Sequence, residues 1–164
     1  MTVTSPLGQV LRDDDGVRLE FVRSYDDPIT DVWSALTDSQ RTARWFGRWT
    51  GDPASGSVQV VMVAEADAPP QTVAILACAP PKRLLLETDS PDGVWRLEVT
   101  LAELGGGTTL RFVQRLAEPY DASSIGPGWH FYLDRLAAVV QGREVPADFD
   151  AYYPALQDEY AVPP

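Results

Sequence analysis

The chain predicts an α+β domain in which a curved antiparallel sheet wraps a long C-terminal helix, and three observations carry this. In VWRLEVTL (94–101), Trp95, Leu97, Val99 and Leu101 alternate with Arg96, Glu98 and Thr100, the period of a strand with one covered and one wet face. From residue 56 onward, strand-like runs are separated by turn chemistry: VQVVMVAE, DAPP, QTVAILACA, PPKR, LLLETD, SPDG, VWRLEVTLAE, LGGG, TTLRFVQRLA. That order is an antiparallel meander. In GPGWHFYLDRLAAVVQG (126–142), Trp129, Leu133, Leu136 and Val140 form one helical stripe, the apolar cover that the sheet requires.

Before the meander, VRLEFVRSY (17–25) alternates Val17, Leu19 and Phe21 against Arg18, Glu20 and Val22 and reads as the first strand. In DDPITDVWSALTD, Ile29, Val32, Trp33 and Leu36 recur at helical spacing, with Asp27 expected as cap and Pro28 at the first helical position. A second short helix is expected through SQRTARWFG, stopping at Gly47 in a left-handed cap. On the long helix, Phe131 points away from the stripe. His130, Asp134 and Gln141 are expected on its wet flank, with His130 about 100° from the stripe centre. His130 and Asp134 lie one turn apart and can pair. After Gly142 the chain carries Phe149, Tyr152, Tyr153, Leu156 and Tyr160, which are expected to fold back and cover Phe131. The expected division is an N-terminal extension over 1–16, a domain over 17–142 and an acidic aromatic tail over 143–164.

The 164 residues, 45% of them hydrophobic, suit one packed domain. The net charge of −11 removes the basic surface that nucleic acid and anionic membranes demand. Cys78 is the single cysteine, inside VAILACA, so no internal disulfide forms and a reducing compartment is expected. The opening MTVTSPLGQVLRDDDG has neither a basic leader nor an apolar stretch, and no run approaches the roughly 18 residues of a membrane span. The expected location is the cytoplasm.

Chemistry-bearing motifs are sparse. His130 is the only histidine, and no GxSxG nucleophile motif accompanies it. A zinc site built on His and Cys needs more than one of each. Gly105 to Gly107 make a turn, without the lysine and hydroxyl of a phosphate loop. Asp148 and Asp150 belong to the acidic tail. No catalytic residue, metal or cofactor is therefore assigned.

The order strand, two short helices, antiparallel meander and long C-terminal helix resembles the START-like (SRPBCC) superfamily, whose helix-grip fold closes a sheet around the final helix. Within it, SYDDPITDVWSALTDSQRTARWFG, the PPKRLLLE turn and the GPGWHFYLDRLAAVVQG helix are similar to the branch related to the C-terminal domain of the heat-shock-protein-90 ATPase activator. The resemblance implies a cavity between sheet and last helix that takes a small apolar or aromatic molecule. Its expected wall is Trp33, Trp45, Phe46 and Trp49 from the helical opening, with Met62, Ile75, Trp95, Leu97 and Val99 from the sheet. Trp129, Tyr132, Leu133 and Leu136 complete it from the helix. Two other functions are expected alternatives: a polyketide cyclase or dehydratase with His130 or a buried carboxylate as proton carrier, and a chaperone-activator type of protein-interaction module that uses the acidic surface and acts in the stress response. A protein partner or homodimer stays open.

Overall fold

The computed structural model describes residues 3–90 and 93–164. Pro91 and Asp92 of the expected SPDG turn, and the first two residues of the N-terminal extension, lie outside the described residues. The elements are β1 (Gln9–Asp13), β2 (Gly16–Tyr25), α1 (Ile29–Thr37), α2 (Ser39–Trp45), β3 (Gly47–Thr50), β4 (Ser57–Met62), β5 (Gln71–Ala79), β6 (Arg83–Ser90), β7 (Gly93–Leu104), β8 (Gly107–Leu116) and α3 (Ala122–Gln141). Among the described residues the strands form one eight-stranded sheet in the order β1-β2-β8-β7-β6-β5-β4-β3, with every neighbouring pair antiparallel. The meander thus runs unbroken from β3 to β8, and β2 closes onto β8 with Phe21 opposite Phe112.

Period-two alternation decides which face is covered. Val17, Leu19 and Phe21 of β2, Leu97, Val99 and Leu101 of β7, and Leu110 and Phe112 of β8 are buried in one cluster with Trp129, Leu133, Leu136 and Val140 of α3. The opposite face carries ion pairs, Arg111 with Glu20 at 2.8 Å and Arg115 with Asp13 at 2.9 Å. The Arg115 hydrogen bonds hold the Asp13 carboxyl down at about 2. These wet-face pairs contribute little stability individually, but they leave the concave face as the place for a site.

Two helix ends differ from expectation. Pro28, in extended conformation, is the N-cap residue of α1, so Ile29 opens the helix and no side chain caps it; Asp27 instead accepts a hydrogen bond from Thr108 Oγ1 at its backbone oxygen, 2.8 Å. At α2 the C-cap is Phe46, and Gly47 opens β3 rather than forming a left-handed cap. Gly47 is there for space, since a Cβ would sit 2.7 Å from the Val61 carbonyl oxygen across the β3–β4 pair.

The wet flank expected for His130 is overturned, because His130 is 0% exposed. The helix period shows one apolar stripe and is blind to a cover brought from elsewhere. Here Ser5 from the N-terminal segment and Tyr160 from the C-terminal segment both bond the imidazole. Beyond α3, short 3-10 turns at Phe149–Ala151 and Gln157–Tyr160 lead the chain back along the helix. Phe131 lies buried with its ring 5.2 Å from Phe149 and 5.3 Å from Tyr152.

Candidate functional site

Between the concave face and the helices lies a cavity of about 220 Å³. Its floor is built from cross-strand rows. Cys78 pairs with Leu84, Leu84 with Val99 and Val99 with Phe112; the next row runs Ile75, Leu86, Leu97. Val58 and Val73 pair at the far end. On a regular strand Ile75 would share its face with Ala77. The register shift between Ile75 and Ala77 inserts one residue, as a bulge does, and brings Cys78 into the Leu84 row. Trp45, Phe46 and Trp49 from α2 and β3, with Trp129 and Leu133 from α3, close the other side. Pro53, Gln71 and Cys78 line the cavity and are exposed. Gln71 opens β5 and Cys78 lies near its end, about 20 Å along the strand, so they mark separate openings, and the mouth nearest the β5–β6 turn is the one at Cys78.

The wall is already hydrogen-bonded within itself. Trp45 Nε1 donates to Ala35 O (2.8 Å), Trp49 Nε1 to Thr37 O (3.0 Å) and Trp129 Nε1 to Gln114 Oε1 (2.7 Å). The hydroxyls of Thr37, Thr42 and Thr88 donate to the backbone oxygens of Trp33, Ser39 and Thr72. Among the described residues that line the cavity there is no Asp, Glu, His, Lys, Arg or Tyr. Such a wall accommodates apolar surface and penalises unpaired polar groups.

Of the expected wall residues, the structure brings together Trp45, Phe46, Trp49, Ile75, Leu97, Val99, Trp129 and Leu133. Trp33, Met62 and Trp95 are half-buried against the core, and Tyr132 and Leu136 lie within it. Tyr132 stands behind the wall, its ring 5.2 Å from Phe46, and its hydroxyl donates to Glu65 Oε2 at 2.7 Å. Sequence reasoning missed Leu84, Leu86, Leu110 and Phe112, although alternation in LLLETD and TTLRFVQ was a usable signal.

Buried Arg135 fixes the helical side of the cavity. Its guanidinium donates to Trp45 O (2.9 Å), Arg44 O (3.5 Å) and Pro146 O and lies over the Phe131 ring at 5.2 Å. A cation at the C-terminal end of α2 faces the carbonyls that the helix leaves unpaired. Burial pushes its pKa down.

A polar cluster occupies the other flank of α3. Asp134 accepts from Arg23 Nη1, Ser5 Oγ and Tyr152 OH, each at 2.7 Å. His130 meets Ser5 Oγ through Nε2 (2.8 Å) and Tyr160 OH through Nδ1 (2.6 Å), and Gly8 N–H donates to Tyr160 OH. Because the Ser5 proton goes to Asp134, Nε2 donates to Ser5 and Nδ1 accepts from Tyr160, which is the neutral imidazole. A nucleophile triad needs the carboxylate and the hydroxyl on opposite ring nitrogens. Here both lie on the Nε2 side, with Asp134 Oδ2 at 3.8 Å, so the cluster ties the chain ends to α3 and does not activate Ser5.

Burial first, and then the Arg23 charge, lower the His130 pKa from 6.5 to about 4 against the opposing pull of Asp134. A depressed histidine leaves the unfolded chain binding the proton first, so stability is full above about 6.5 and falls as the pH drops toward about 4. The expected loss is about 1 to 3 kcal/mol over that window, measurable by urea unfolding. Asp13 and Glu20, both held below their ordinary values by arginines, lose their contribution at lower pH. His130→Gln removes the slope in this window; an unaltered slope contradicts the assignment.

No curated protein matches the chain. Solved structures do. The crystal structure of CalU16 from Micromonospora echinospora is 25% identical, covers 93% of this chain and 92% of its own, and superposes with a TM-score of 0.73. A protein from Bordetella parapertussis solved by NMR is 24% identical over 99% of this chain and 97% of its own, TM-score 0.73. DynU16, from the dynemicin biosynthetic locus, is 24% identical over 77% of this chain and 48% of its own, TM-score 0.64. These likenesses support the helix-grip fold of the START-like superfamily. The family described as Activator of Hsp90 ATPase homolog 1-like protein matches residues 26–141, from the turn before α1 to the last residue of α3, and the chain belongs to that family.

Proposed function

We propose that the protein binds a small apolar or aromatic molecule in the cavity between sheet and α3, with no reaction at the cavity wall. The carrying observation is a wall without an ionisable side chain except the Cys78 thiol at the mouth. An apolar cavity of about 150 Å³ takes up benzene, so one of about 220 Å³ suits a substituted ring or two fused rings. Among the described residues no group of three or more His, Cys, Asp or Glu is placed to hold a metal, and no helix is long and apolar enough to cross a membrane. The proposal places the protein in the cytoplasm, where Cys78 stays reduced.

The test is an environment-sensitive apolar dye, expected to bind one per chain. Ile75→Trp, which fills the cavity from its floor, is expected to weaken that binding at least about tenfold while the fold persists. Equal binding by the variant would place the dye elsewhere and remove the proposal. A second reading, an enzyme of cyclase or dehydratase type, is favoured by the Tyr132–Glu65 pair, because Tyr132 touches Phe46 of the wall. It requires turnover that Tyr132→Phe abolishes without unfolding the protein. The family description supports a third, a chaperone partner held by the acidic surface, which requires salt-sensitive association.

A further inference from the structure

We infer that the ligand is a planar aromatic molecule, buried ring-first without hydrogen-bond acceptors on its inner part and carrying any carbonyl or carboxylate at the mouth beside Cys78. This rests on the reading of the cavity as a binding site and narrows it to a ligand class.

The first ground is the state of the donors. The indole N–H groups of Trp45, Trp49 and Trp129 and the hydroxyls of Thr37, Thr42 and Thr88 already donate within the protein. The amides of the floor strands run in an antiparallel ladder. A ligand carbonyl pushed past the mouth gives up its water and meets no free side-chain donor. That weakens binding roughly tenfold to a hundredfold for each such group. At the mouth, the Cys78 thiol is exposed and water reaches the ligand, so an acceptor there keeps its partners.

The second ground is the shape of the walls. The helical side presents rings, with Phe46 and Trp129 nearly parallel at 8° and 5.8 Å between centroids. The sheet side presents branched aliphatics, Val73, Ile75, Leu86, Leu97 and Val99. A flat ring offers its face to both, and stacking on the aromatic side adds attraction that a saturated chain lacks. Carbonyl-rich polyketide chains fit this wall poorly.

Four naphthalenes test it by competition with the dye. 2-Ethylnaphthalene and 2-acetylnaphthalene differ by one carbonyl that can stay at the mouth; 2,6-diethylnaphthalene and 2,6-diacetylnaphthalene are polar or apolar at both ends, so one end must be buried. The first pair is expected to agree within about threefold and the second to differ at least about tenfold. 2-Acetylnaphthalene is also expected to slow maleimide labelling of Cys78 in the native protein. Equal affinities within the second pair overturn the ligand class and leave the cavity reading intact. Failure of all four to displace a dye whose binding Ile75→Trp weakens overturns the ligand class alone; a dye that the naphthalenes do not displace and whose binding Ile75→Trp does not weaken overturns both.

Discussion

Replacing Tyr160 with Ala is expected to lower stability by about 3 to 5 kcal/mol and the melting temperature by about 6 to 20 °C. Tyr160 is 0% exposed. Its ring lies 5.8 Å from Phe21 and crosses α3 at Gly126, where a Cβ would come within 2.4 Å of the ring. Its hydroxyl joins Gly8 N–H to His130 Nδ1. Tyr160→Phe separates the two contributions: the ring stays, and the lost hydrogen bonds cost about 1 to 3 kcal/mol. Urea unfolding of both variants checks this. An Ala variant within about half a kilocalorie of the parent would show that the tail is dispensable to the fold.

Asp134→Asn is expected to cost about 3 to 5 kcal/mol, the penalty for stripping a buried charge of its counter-ion. Arg23 and Asp134 pair at 2.7 Å with only 6% and 12% of their side-chain surfaces exposed. Arg23 has little to fall back on, since its Nε and Nη2, like the hydroxyl of Tyr25, are buried without a partner. In the Asp134→Asn background, Arg23→Met is expected to cost less than it does in the parent, because the guanidinium it removes has already lost its counter-ion. A double-mutant cycle measures the difference, and additive costs would contradict the pairing.

What could be read from the sequence was what local period encodes. VWRLEVTL identified the covered residues Leu97, Val99 and Leu101, and the α3 stripe identified Trp129, Leu133, Leu136 and Val140, because spacing along one element decides both. The tail aromatics were legible as a cover for Phe131, but that Tyr160, and Ser5 from the other end, reach His130 was not, since these partners lie 30 and 125 residues away in the chain. Cys78 reached the cavity through a bulge, and a one-residue insertion in pairing is invisible to a period of two. Gln9–Asp13, QVLRD, lies along β2 through backbone pairing, although its side chains show no clear alternation. Tyr132 and Leu136 showed the limit in reverse. They lie on the helix with Trp129 and Leu133, yet they face neighbouring side chains rather than the void, a distinction that depends on packing.

Occupancy of the cavity is the central claim, and native mass spectrometry of freshly purified protein measures it most directly. The expected spectrum shows a 1:1 complex with a small molecule, released on collisional activation, and no such complex for Ile75→Trp purified in parallel. Ligand-free protein in both preparations, staying ligand-free after incubation with 2-ethylnaphthalene, would mean a cavity that nothing of this class enters.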